Sequence, residues 1–71
     1  MIKELQLVNA DTGVAEHFEL HEVDKDKRGK VRAVKLFQNG ELDTYTKTGN
    51  ALFYSDRKTV SIPRWVLEEV R

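Results

Sequence analysis

The chain has 71 residues, of which 12 are basic and 12 acidic, with two histidines and no cysteine. This length makes one domain, near the lower limit at which an unassisted core is stable, and the missing thiols exclude disulfides, thiol nucleophiles and thiolate metal sites. Balanced charge excludes a protein basic on every side, as a nucleic-acid coat would be, but leaves room for a single basic face.

The opening residues, Met1 to Gln6, hold no apolar core of signal-peptide length. The longest apolar run, Ala51 to Tyr54, is far shorter than the ~20 residues that span a bilayer. A cytoplasmic protein without membrane contact is the expectation.

Residues 2–8 read as a first strand, in which Leu5 and Leu7 alternate with Glu4 and Gln6. Asn9 to Gly13 then gathers residues that favour turns. Val14 to Val23 is ambiguous: its Ala, Glu and Leu content favours helix. Its apolar residues Val14, Phe18, Leu20 and Val23 nevertheless scatter around a helical wheel, while Phe18 and Leu20 alternate with His17, Glu19 and His21. Strand is the reading, with helix its rival. Asp24 to Gly29 is charged, lacks apolar residues and ends in Gly, so it forms a loop or hairpin tip.

The hairpin from Lys30 to Lys47 organises the rest. Asn39-Gly40 marks its turn, because a type I′ turn needs positive φ at both central positions. Pairing Gln38 with Glu41 sets Phe37 beside Leu42 on one face, with Ala33. The other face then carries Val34, Leu36 and Tyr45. Lys47 to Asn50 forms another turn, and Ala51–Tyr54 pairs with Thr59–Ile62 around Ser55 to Lys58. In that second hairpin Phe53 faces Val60 and Ala51 faces Ile62, with Leu52, Tyr54, Thr59 and Ser61 behind.

Pro63 ends the ladder, since it has no N–H to give, and suits the first turn of a helix. Ile62, Trp65, Val66 and Val70 then share one side of a short helix capping an open barrel end. In the alternative, Arg64-Trp65 makes a tight turn before a closing strand, Val66–Val70. This Pro-then-aromatic ending resembles that of SH3-like barrels, where a single 3₁₀ turn precedes the last strand. The aromatic residue stands one place early, and the acidic and aromatic signature of peptide-binding SH3 domains is missing from the first half. The similarity covers about ten residues, and it bears on fold class only. Five or six short strands between turn signals specify an all-β fold, a small antiparallel barrel, SH3-like or related, with a short C-terminal helix.

Several patterns invite chemistry. Asp24 to Val31 mimics the start of an EF-hand loop, but Arg28 and Lys35 stand where oxygen ligands belong, so calcium is rejected. His17 and His21 would share a face on a helix, whereas on a strand they lie ~13 Å apart, beyond the reach of one ion. Ser55 and Ser61 lack a nucleophile elbow, and the carboxylate pairs Glu41/Asp43 and Glu68/Glu69 sit among surface charges. No Gly-rich phosphate loop is present. The expectation is a non-enzyme without metal or cofactor.

Two features point to binding. Lys25, Lys27, Arg28, Lys30, Arg32 and Lys35 crowd a strand and its leading loop. The six could grip a phosphate backbone, and the stretch Arg28 to Val34 resembles the core of the KOW motif of ribosome- and transcription-associated barrels, which implies that Gly29 starts a strand whose spaced valines enter the core. The plainer reading pairs these cations across strands with Glu16, Glu19 and Glu22. Apolar residues also occupy both faces of the central hairpin, so one set is either buried or a partner site.

The lead expectation is therefore a protein-interaction module or small regulator, a monomer or homodimer. Its partner would dock on Phe37, Leu42 and Tyr45, flanked by the cations Lys25 to Lys35. The alternative is a nucleic-acid-binding barrel in which those six cations hold phosphates and Tyr45 or Tyr54 stacks on bases.

Overall fold

The structure, a computed structural model, describes residues 2–69, without the side chain of Glu69. Six antiparallel strands close into a barrel in sequence order: β1 (Lys3–Asn9), β2 (Ala15–Lys25), β3 (Val31–Gln38), β4 (Glu41–Lys47), β5 (Leu52–Tyr54) and β6 (Thr59–Ser61). One short helix follows, α1 (Arg64–Glu69). The all-β barrel with a C-terminal helix is the architecture expected.

The central hairpin pairs as its turn requires. Asn39 and Gly40 take φ of 51° and 80°, which is the left-handed pair that a type I′ turn needs. Gln38 faces Glu41, Phe37 faces Leu42 and Val34 faces Tyr45. In the second hairpin Phe53 faces Val60, and the Ile62 amide donates to the Ala51 carbonyl at 2.8 Å. That turn is knotted by Ser55, whose buried hydroxyl accepts from the Arg57 and Lys58 amides and donates to the Lys58 carbonyl.

The ambiguous second segment is strand, and it is longer than the sequence suggests. Its register against β3 shifts between Leu20 and Glu22, where His21 is inserted, and again between Asp24 and Lys25. An inserted residue resets the in–out alternation. Leu20 and Val23, three positions apart, therefore both turn toward the interior.

The core is one cluster: Leu7, Phe18, Leu20, Val34, Leu36, Tyr45, Phe53, Val60, Ile62, Val66 and Leu67. Each strand supplies alternate residues, as a half-buried wall must. Phe18 meets Tyr45 edge-on, their ring centres 6.2 Å apart. The turns at 10–14, 39–40 and 55–58 gather at one end, the upper end. The loop 26–30, the turn 48–51 and α1 mark the lower end.

The helix differs in phase from its expectation. Val66 and Leu67 face the core, while Trp65 is 61% exposed. Because α1 is only six residues long, the chain's exit from β6 sets which side turns inward. Val70, also expected on the inner side, lies outside the described residues.

The ring closes unevenly. β1–β2, β2–β3 and β3–β4 are long ladders, but β4 meets β5 through two residue pairs, and β6 meets β1 through two.

Candidate interaction surfaces

The outer wall divides by charge. Where β1, β2 and β3 turn side chains outward they present Glu4, His17, Glu19, Glu22, Asp24 and Lys35, beside the uncharged Gln6, Ala15, Ala33 and Phe37. Ion pairs lace this side: His17 with Glu4 at 3.6 Å, Lys35 with Glu22 at 3.3 Å, and Arg32 with Asp24 at 3.0 Å. Pairing of the basic strand with an acidic neighbour, the plainer expectation, thus holds for Glu22.

The rest of the wall is different. Outward positions on β4 are Leu42, Thr44 and Thr46, on β5 Leu52 and Tyr54, on β6 Thr59 and Ser61, and Val8 closes the ring on β1. None is charged. Ser61 pairs with both Val8 and Leu52, so the three form one row across β1, β6 and β5. Leu42 is 51% exposed and Tyr54 55%. Glu41 and Asp43, of opposite parity on β4, turn toward Arg57 instead, which pairs with both. A shallow groove between β4 and the β5–β6 turn runs past Thr44, Thr46 and Tyr54 and is bordered by the charged Asp43, Asp56 and Arg57.

The residues expected to form one partner site do not lie together. Tyr45 is 1% exposed, since it shares the inward parity of Val34, and is withdrawn from any surface. Phe37 faces outward but is half-covered by the His21 ring, centre to centre 5.6 Å. Leu42 is freely exposed. Lys25, Lys27, Arg28 and Lys30 sit at the lower tip of β2–β3, whereas Phe37 is six residues up the strand, ~20 Å away. The expected patch is therefore two surfaces.

At the lower tip, Asp26 shapes the loop. Its carboxylate accepts from the Lys30 amide at 2.9 Å and the Arg28 amide at 2.8 Å, which holds its pKa below the usual value. Gly29 follows at φ 81°. Among the described residues the four tip cations have no ion pair, so they project from a fixed turn rather than closing on neighbours.

A third polar group closes the upper mouth. Glu16, inward on β2, accepts from Asn9 at 2.9 Å, Gln38 at 2.8 Å and Lys58 at 2.7 Å. Lys58 foremost, then Asn9 and Gln38, draw its carboxyl down to about 2. Every partner is matched, so this group forms a plug.

Among the described residues, no three of His, Asp and Glu are grouped to hold a metal ion. His17 and His21 both lie on β2, and His21 contacts Glu19 at 3.3 Å. No helix among the described residues is long and apolar enough to cross a membrane.

Two surface features are hidden at the level of sequence. Trp65 is one, because the helical pattern places it inside. The neutral wall is the other, because β6 is not known to neighbour β1 until the barrel closes. Its signal is nonetheless present, in the absence of charge at 42, 44 and 46, at 52 and 54, and at 59 and 61. No family model, curated protein or solved structure matches the chain.

Proposed function

We propose that this chain is a non-catalytic interaction module whose partner is another protein, seated on the uncharged wall of β4, β5, β6 and the end of β1. The observation that supports this is the contrast in charge. A third of the chain is charged (34%), yet Val8, Leu42, Thr44, Thr46, Leu52, Tyr54, Thr59 and Ser61 carry none. Eight surface positions at ordinary charge density would all be neutral roughly one time in ten to thirty. Protein interfaces are depleted of charge at their centres and enriched in aromatic anchors. Tyr54, flanked by Leu52 and threonines, fits that description.

A polyanion has nothing to hold on this wall, so nucleic acid is disfavoured there. We place the protein in the cytoplasm, where a cysteine-free composition is suited to reducing conditions.

The test is capture from the native host with immobilised wild-type chain and two variants. Leu52→Lys/Tyr54→Lys should lose a specifically captured protein. Arg28→Glu/Lys30→Glu should keep it. Matching circular dichroism and melting curves establish that both variants fold. If the wall variant captures the same protein as wild type, the reading fails. A concentration-dependent dimer by sedimentation, abolished by the wall variant, would replace the foreign partner with a second copy.

A further inference from the structure

We infer that the lower end of the barrel binds single-stranded nucleic acid, with Lys25, Lys27, Arg28 and Lys30 on phosphates and Trp65 as a stacking platform. This site is separate from the uncharged wall and does not depend on it.

The cations fall into two groups. Arg32, Lys35, Arg57, Lys58 and Arg64 each hold a carboxylate, and Lys3 is engaged as well. Lys25, Lys27, Arg28, Lys30 and Lys47 hold none among the described residues. All five of these cations belong to one end. β2 finishes there at Lys25, the loop carries Lys27 to Lys30, and β4 finishes there at Lys47. Of the nearby acids on this hairpin, Asp24 is paired with Arg32, and Asp26, held by the loop's own amides, is a single negative charge among five cations. The formal net charge of zero thus conceals a pole of excess positive charge.

Trp65 reaches the same end by topology. β6 runs antiparallel to β1, as β2 does, so from Ser61, which pairs with Val8, the chain continues toward the end where β1 begins and β2 finishes. α1 follows directly, with Trp65 in its first turn and 61% exposed. This exposed indole has a large apolar face and no part in the packing, which falls to Val66 and Leu67. Cations alone would suit any polyanion. Cations with a bare indole suit one whose bases are unpaired and can stack. Duplex hides those faces, and an acidic protein does not supply them.

Trp65 is the chain's single tryptophan, so its fluorescence reports directly. The full chain is titrated with an oligothymidylate long enough to span one small barrel, about 20 nucleotides. We expect saturable quenching. Four phosphate contacts give a log–log salt slope of about −3, hence ~50-fold weaker binding at 200 mM than at 50 mM salt. Arg28→Glu/Lys30→Glu should weaken binding at least ~10-fold and roughly halve that slope. Trp65→Ala, followed by anisotropy of the labelled oligonucleotide, should weaken it about 5-fold or more.

Both variants alter exposed side chains, and unchanged melting curves verify the fold. Absence of saturable quenching up to ~100 μM oligonucleotide at 50 mM salt overturns the inference. So does binding that the charge reversal leaves intact. Poly-glutamate competing as well as oligonucleotide, with Trp65→Ala unchanged, would reassign the pole to acidic proteins. Leu52→Lys/Tyr54→Lys should bind the oligonucleotide normally, which separates failure at this end from failure of the wall.

Discussion

Lys58 Nζ stands 2.7 Å from Glu16 Oε1 and 2.7 Å from Gln38 Oε1, 5.6 Å from the centre of the Phe18 ring. Three separate stretches, β2, the end of β3 and the β5–β6 turn, are tied by this one ammonium. Beneath it lies the apolar interior. The triangle is satisfied internally, so it closes the barrel without burying an unpaired charge.

Acid should loosen that plug. The Glu16 carboxyl is held at about 2 in the fold against 4.5 ordinarily. Its stabilisation is therefore full above about pH 5 and is lost as pH falls toward 2. Partial solvent access reduces the contribution to about 1–2 kcal/mol. Urea melts at pH 7 and pH 3 should show wild type losing more stability than Glu16→Gln. Equal losses would show that Glu16 carries no such linkage.

Ala51 is a point of backbone strain. It takes φ 66° while its carbonyl receives the Ile62 amide at 2.8 Å. A left-handed L-residue costs about 1–2 kcal/mol, partly offset by the greater freedom glycine has when unfolded. Ala51→Gly should raise stability by about 0.5–1 kcal/mol in a urea melt. A destabilised variant would mean that the methyl packs better than its half-buried position implies.

Tyr45 should resist alkali. Burial raises its phenol above the ordinary 10, while the Ser55 hydroxyl acts in the opposite direction. Stability is then complete below pH 10 and falls as pH rises through the higher folded value. In a Tyr54→Phe background, absorbance at 295 nm should show phenolate appearing late and together with unfolding. Early, reversible titration with the fold intact would place Tyr45 at the surface.

Neighbouring helix residues should behave oppositely. Val66→Ala removes buried apolar volume and should cost about 1–2 kcal/mol. Trp65→Ser should change stability by less than about 0.5 kcal/mol. Thermal melts decide it, and a larger loss at Trp65 than at Val66 would mean that the indole, not the valine, packs inward.

The parts of the fold legible in the sequence are those governed by short-range rules. Asn39-Gly40 dictates its turn, and the turn dictates that Val34 faces Tyr45. Phe53 and Val60 pair for the same reason. The insertion at His21 is not legible, because one extra residue reverses parity downstream with no distinctive side chain to announce it. Trp65 misleads for a related reason: six helical residues give too short a period to fix a phase. The surfaces are harder still. Tyr45 looks available until the interior claims it, and the neutral wall exists only once β6 lies beside β1.

The two short seams that flank β5–β6 leave this hairpin held less firmly than the four-stranded sheet it completes. Its residues lie about fifty positions from their β1 partners, so as a clasp it should fasten last in folding and release first in native fluctuations. Deuterium should accordingly enter the amides of Phe53 and Val60 well before those of Leu20 and Leu36. Much of the neutral wall rides on that clasp, so a partner seated there would slow the exchange.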